Sequence, residues 1–224
     1  MSDDIDAVDP SGSLSIYSIG HSNQTLEKFL GLLEQRGIQI LADVRSSPYS
    51  RYVPHFNRLE LEDAVERRGI QYLFMGDTLG GRPEGDEFYD DEGYVLYFRV
   101  AEAPFFQRGL ERIKDEAAMS RVAIMCSEED PTNCHRRLLI GRVLAREAIP
   151  LLHIRGDGDI HREEDLLDES PAGVQLSLWD ALDPDETRKE QEWRSIQPVS
   201  RRRPPKSSSE HSNDTESDDF WTSD

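Results

Sequence analysis

Arg36-Gly37-Ile38-Gln39-Ile40-Leu41-Ala42-Asp43-Val44 and Arg68-Gly69-Ile70-Gln71-Tyr72-Leu73-Phe74-Met75 decide the fold. Each opens with a glycine of the kind that ends a helix and passes at once into an apolar run. Upstream of the first, Leu26, Phe29, Leu30 and Leu33 recur at helical spacing, and upstream of the second Leu59, Leu61, Ala64 and Val65 do the same. Two matching helix-to-strand returns imply a β/α fold, not a long-period repeat array. Before the first of these helices, Leu14 to Ile19 supplies a strand. Phe106, Leu110, Ile113 and Ala117 give a third helix, Arg121 to Cys126 a fourth strand, Leu138, Leu139, Val143 and Leu144 a fourth helix, and Leu151 to Ile154 a fifth strand. The connection from Gly76 to Val100 carries Gly80-Gly81 and an acidic Gly/Tyr stretch, and a loop this long is either functional or disordered. The pattern predicts an α/β protein: a mostly parallel sheet of about five strands with helices on both faces, a Rossmann-like three-layer sandwich.

Composition sets the bounds of that domain. The chain has 224 residues, 36% hydrophobic and 32% charged, with a mean hydropathy of -0.67, too polar to fold end to end. Residues 1–13 and 166–224 lack an apolar period and are expected to be an acidic disordered N-terminus and an acidic, mostly disordered C-terminal tail around a domain at 14–165. No run approaches the roughly 18 apolar residues of a membrane span, and Met1-Ser2-Asp3-Asp4 is no secretory n-region, so a cytoplasmic protein with no membrane association is expected. Two cysteines make no disulfide framework and are read as reduced thiols. The net charge is -19, and residues 14–165 carry 27 acidic against 19 basic side chains, so more than half of the excess lies in the tails. Of the 26 basic residues only Lys28, Lys114, Lys189 and Lys206 are lysine. Many carboxylates with arginine as the main cation suit concentrated salt, and a halophilic source is expected.

Ligands of an open parallel sheet bind beyond the carboxyl ends of its strands. Here those ends carry Gly20-His21-Ser22-Asn23, Asp43-Val44-Arg45 with Pro48-Tyr49-Ser50-Arg51, Leu79-Gly80-Gly81-Arg82, and Cys126-Ser127-Glu128 followed by Asn133-Cys134-His135-Arg136. In combination, these elements resemble the domain of unknown function 488 family, the resemblance spanning roughly residues 14 to 155. The resemblance implies an α/β fold and one shared pocket, and names no substrate.

The residues themselves suggest roles. His21, after a glycine at a strand end, suits general acid or base work, or equally a turn. Asp43 and Arg45, two apart on one strand face, form either an ion pair or part of the catalytic apparatus. Residues 44–59 hold Arg45, Arg51 and Arg58 and no acid, a local reversal of sign that favours an anionic ligand. Arg136 at a helix start is an anion site by residue type, and Glu128 is the carboxylate partner. Gly80 and Gly81 permit close backbone approach to a ligand, or simply make a turn. Cys134, expected in the first turn of a helix behind Asn133, is the better placed nucleophile, and a packed structural thiol is the alternative for either cysteine. Cys126, Cys134 and His135 with a distant histidine would make a zinc set, yet the C-x7-C-H spacing lacks the short pairs of zinc modules, so no metal and no cofactor are expected.

The leading expectation is an enzyme, a hydrolase or transferase, acting on a small anionic, phosphate-bearing substrate such as a nucleotide or nucleic-acid component. His21, Asp43, Glu128 and Cys134 are the candidate catalytic residues, and Ser22, Arg45, Arg51, Gly80, Gly81 and Arg136 the candidate substrate contacts. A rhodanese-like sulfurtransferase or cysteine phosphatase is the second reading. Those enzymes close a loop from Cys to an Arg five or six residues on, where this chain has Pro131 and Thr132 after Cys126, or Leu139 and Ile140 after Cys134. A nucleotide-binding or adaptor module is the third. In the tail, Gln175-Leu176-Ser177-Leu178-Trp179 resembles a sliding-clamp docking peptide through Gln175, Leu178 and Trp179, and otherwise reads as a piece that packs on its own domain. Arg201-Arg202-Arg203 in an acidic tail makes no convincing nucleic-acid footprint.

Overall fold

The computed structural model describes residues 14–166 and 193–199. Strands β1 (Ile16–Gly20), β2 (Ile40–Asp43), β3 (Gln71–Phe74), β4 (Val122–Cys126), β5 (Leu151–Ile154) and β6 (Ile160–His161) alternate with helices α1 (Leu26–Gln35), α2 (Arg58–Glu66), α3 (Tyr97–Glu102), α4 (Pro104–Ala117) and α5 (Arg142–Arg146). A π-helical segment, Arg136–Gly141, runs directly into α5. The strands form one sheet in the order β3-β2-β4-β1-β5-β6. All pairings are parallel except β5 with β6. Sequence periodicity could not register β6, because two residues, Ile160 and His161, contain no pattern.

The apolar strand residues are sorted by the two-residue alternation of the pleat. Tyr17, Ile19, Leu41, Ala123, Met125 and Leu152 join Phe29, Leu30 and Leu33 of α1 and Leu61 and Val65 of α2 in one buried cluster. Ile16, Ile40, Ala42, Val122, Ile124 and Leu151 join Val100 of α3, Phe106, Leu110 and Ile113 of α4, and Val143 and Leu144 of α5 in the other. The helix starts and ends follow local chemistry. Thr25 caps α1, its side chain accepting from the Lys28 amide at 3.3 Å, and Gly37 after that helix takes a left-handed φ of 60°, which glycine adopts without strain.

Residues 193–199, beyond the boundary read from sequence near 165, pack on this domain. Leu96 bridges Arg194 in antiparallel fashion, the Ser195 amide donates to the Val95 carbonyl at 2.9 Å and the Val199 amide to Gly93 at 3.0 Å. Trp193 is buried in the second cluster, and its indole N–H donates to the Leu138 carbonyl at 2.6 Å. One aromatic anchor, the partly buried Ile196 and Val199, an ion pair from Arg194 to Asp90 at 2.7 Å and a few backbone bonds hold the segment, with no amphipathic period to betray it. Among the described residues no helix is long and apolar enough to cross a membrane.

The strand order places the functional ends. From β1 the chain moves over the position of β4 to β2 and β3, then returns to insert β4 between β2 and β1 before crossing to β5. The carboxyl ends of β1, β2 and β4 therefore meet where the winding direction reverses, the position at which open α/β sheets form a crevice.

Candidate functional site

A cavity of about 680 Å³ opens at that reversal. Its walls come from the residues after β2 (Arg45, Ser46), after β3 (Gly81, Arg82), after β4 (Cys126 to Glu128) and before the π-helical segment (Asn133 to His135), with Ser195 to Val199 closing one side. The segment after β4 crosses the end of β1 at a point only glycine allows: a Cβ on Gly20 would lie 1.7 Å from the Glu128 carbonyl oxygen. The amides of His21 and Ser22 then donate to the carbonyls of Cys126 and Ser127 at 3.0 and 2.8 Å, locking the two strand ends together. Ser22 pays a local conformational penalty there, with φ at 47°.

A buried polar chain fixes Arg45. Asp43 is fully buried at the end of β2, and the Arg45 Nε and Nη2 donate to its Oδ1 and Oδ2 at 2.9 and 2.6 Å. The Arg45 amide donates to the same carboxylate at 3.0 Å and the Tyr72 hydroxyl at 2.6 Å. Arg45 Nη1 donates to His21 Nε2 at 3.1 Å. Because a carbonyl only accepts, the 2.7 Å contact of His21 Nδ1 with the Ser22 oxygen puts the ring proton on Nδ1 and leaves Nε2 as the acceptor for Arg45. Burial, helped by the Arg45 charge, lowers the His21 pKa from 6.5 to about 4, so the imidazole is neutral at pH 7. Phe56 stacks on the ring at 4.3 Å and completes its enclosure. Three of the five N–H groups of a guanidinium are occupied by these contacts, and Arg45 borders the cavity.

The second group in the cavity wall is made of sulfur and imidazole. His135 Nε2 donates to the Val44 carbonyl at 3.2 Å, which leaves Nδ1 as a lone pair. That lone pair faces both cysteines, at 3.8 Å from Cys126 Sγ and 3.7 Å from Cys134 Sγ. A hydrogen bond from Cys134 holds the Cys126 thiol well below its usual range against the opposing effect of burial, and His135 adds to the lowering. Burial, with the Cys126 interaction, pushes Cys134 up. Cys134, expected in the first turn of a helix, instead has extended backbone (φ -112°, ψ 141°) and stands just before the helical residues, where its carbonyl accepts from the Arg137 and Leu138 amides at 3.0 Å and the Arg136 amide lowers its thiol against the larger effect of burial. Gly81 seats the ring of His135: a Cβ there would lie 2.8 Å from the ring Cγ.

The other candidates divide by position. Glu128 is exposed in the cavity wall. Gly80 lies behind it, where a Cβ would strike the Gly76 carbonyl at 2.3 Å and Ser46 Oγ at 2.4 Å. Arg51 is exposed outside the cavity lining. Arg136 is fully buried and also outside the lining, its Nη2 donating to the Glu129 carbonyl. Gln175, Leu178 and Trp179 lie outside the described residues. Reasoning from strand ends passed over Tyr72, whose partner Asp43 lies on the neighbouring strand, and Arg82, whose signal was its place directly after the glycine pair. Arg82 is exposed in the cavity wall, and its amide donates to Ser46 Oγ at 2.9 Å.

Together these features define a mostly parallel α/β protein with a polar crevice at its switch point. The chain matches the domain of unknown function DUF488 over residues 25–143, more than half its length, and belongs to that family. The match takes in Asp43, Arg45, Gly81, Cys126, Glu128, Cys134 and His135 and begins after His21. No curated protein and no solved structure matches the chain.

Proposed function

We propose that this protein is an enzyme, a hydrolase or transferase, that binds a small phosphate-bearing anion in the cavity beyond β2 and β4. The observation that carries this reading is the buried chain Tyr72–Asp43–Arg45–His21, which fixes a guanidinium at the cavity wall. A charge held in place before the substrate arrives stabilises developing negative charge without reorganisation. Arg45 is the fixed anion contact, Arg82 the adjustable one at the rim, and Glu128 the group that exchanges protons with the substrate or with water. Asp43, Tyr72 and His21 are positioning residues, since every polar atom of the His21 ring is engaged away from the cavity. Hydroxyl and amide groups of Ser46, Ser127 and Asn133 suit the sugar and base edges of a nucleotide component. The acidic composition with arginine as the main cation supports a setting in concentrated salt.

The test is a panel of nucleoside phosphates assayed for turnover with the full chain. Glu128→Gln is expected to lose turnover while nucleotide still raises the unfolding temperature, and Arg82→Ala to lose that stabilisation. If no phosphate-bearing compound either stabilises the protein or is converted, the reading fails. The place of Cys126 in the cavity wall, with His135 Nδ1 3.8 Å from its Sγ, favours a second reading, a thiolate nucleophile of the rhodanese or cysteine-phosphatase type. It requires a covalent adduct on Cys126 that intact-protein mass spectrometry detects during turnover and that Cys126→Ser abolishes.

A further inference from the structure

The spacing of Cys126, Cys134 and His135 along the chain argues against a metal, and their arrangement in space argues for one. We propose that Cys126 Sγ, Cys134 Sγ and His135 Nδ1 bind a single zinc ion whose fourth coordination position opens into the cavity. These three donor atoms all lie within 4.8 Å of one another. A tetrahedral zinc with bonds of about 2.3 Å to sulfur and about 2.0 Å to nitrogen sets sulfur-to-nitrogen separations of about 3.6 Å. The observed 3.8 and 3.7 Å lie within about 0.2 Å of it, and the two sulfurs, which such a zinc sets about 3.8 Å apart, are within 4.8 Å of each other.

The orientation of the imidazole is an independent observation. Metal-bound histidine donates its second nitrogen to a carbonyl or carboxylate, which fixes the tautomer and aims the lone pair. Here His135 Nε2 donates to the Val44 carbonyl, so Nδ1 is directed without a proton at two sulfurs. The turn that makes this possible is built for it. Asp130 caps Pro131–Asn133 by accepting from the Thr132 amide and hydroxyl at 2.9 and 2.8 Å, and the chain reverses to bring Cys134 back to Cys126. Gly81 clears the space for the ring from the opposite wall.

Two soft sulfurs and an imidazole select zinc over magnesium or calcium, which take oxygen donors. All three residues border the cavity together with Glu128, so the fourth position is open to water or to a substrate donor atom. Three protein ligands with one open position is the pattern of catalytic zinc, whereas structural sites close with four. The inference stands apart from the substrate reading. Zinc with no response to phosphate compounds would overturn that reading and leave this one, and the reverse result would do the opposite.

The experiment uses the full chain, expressed without added metal and purified under reducing conditions. Elemental analysis is expected to find about one zinc per chain. Zinc K-edge absorption should read two sulfur neighbours at about 2.3 Å together with nitrogen or oxygen. After chelator stripping, cobalt(II) should produce a thiolate-to-metal charge-transfer band that added zinc abolishes, and Cys126→Ser, Cys134→Ser and Gly81→Ala should weaken zinc retention at least tenfold. If a variant fails to fold, the absorption and cobalt spectra of the parent decide alone. A parent chain that holds no zinc and gives no charge-transfer band overturns the proposal, as does zinc bound only to nitrogen and oxygen or retained unchanged in the folded serine variants.

Discussion

Arg45 and Asp43 illustrate how a buried ion pair is made tolerable. A carboxylate with no exposed surface is costly to bury unless each oxygen is bonded, and Asp43 receives the Arg45 side chain, the Arg45 amide and the Tyr72 hydroxyl. Asp43→Asn is expected to lower the unfolding free energy by about 3 kcal/mol or more, because it leaves the Arg45 charge buried without a counter-ion. Tyr72→Phe removes one hydrogen bond to a charged acceptor, and a loss of about 2 kcal/mol is expected from denaturant titration. A Tyr72→Phe protein as stable as the parent would contradict the chain described here. His21 adds a pH dependence of definite sign. Its folded pKa of about 4 lies below the ordinary 6.5, so between these values the unfolded chain takes up a proton that the folded protein refuses. Stability falls as the pH drops through that window, by about 3 kcal/mol in all for this group. The stability gap between parent and His21→Gln should therefore narrow by that amount from pH 7 to pH 4. A gap that stays constant would show that His21 titrates normally in the folded protein.

At the scale of elements, the periods that reveal α1, α2 and α4 also bury most of the faces they define: Phe29, Leu30 and Leu33, Leu61 and Val65, and Phe106, Leu110 and Ile113 all lie in the core, whereas Leu59, counted with the α2 face, is 74% exposed. Thr25→Ala should cost about 1 kcal/mol through loss of the α1 cap, measured as a shift of the denaturation midpoint. The site was legible only in part. Strand ends pointed to His21, Asp43, Arg45, Cys126 and Glu128, but strand order is not written in the sequence, so the reach of Arg45 past the end of β4 to His21 was hidden. The closeness of Cys126 to His135 was hidden too, because it depends on a three-residue turn at Pro131–Asn133. The segment carrying Trp193 was invisible for a different reason: seven residues with one buried aromatic have no period to read. Trp193→Ala is expected to destabilise the protein by about 3 kcal/mol or more, by loss of core contacts and of the bond to the Leu138 carbonyl. An unchanged unfolding midpoint would show that residues 193–199 do not belong to the cooperative unit.

On the scale of the whole molecule, a net charge of -19 opposes compaction, and salt screens that repulsion. The thermal midpoint should rise from about 0.1 M to about 2 M potassium chloride, despite the attraction that screening removes from surface ion pairs. A midpoint independent of salt would remove the support for a halophilic setting. In a protein with this excess of negative charge, the cavity sets two arginines, Arg45 and Arg82, beside a single carboxylate, Glu128, which makes those arginines the groups to test for an anion. The most direct measurement is calorimetric titration of the reduced full chain with a nucleoside monophosphate at fixed salt, repeated on Arg82→Ala and on Arg108→Ala, an exposed arginine outside the cavity. Saturable binding by the parent, weakened at least tenfold in Arg82→Ala and unchanged in Arg108→Ala, is the result expected. Absence of binding by the parent, or equal loss in both variants, would contradict the assignment of the cavity beyond β2 and β4 as a phosphate-binding active site.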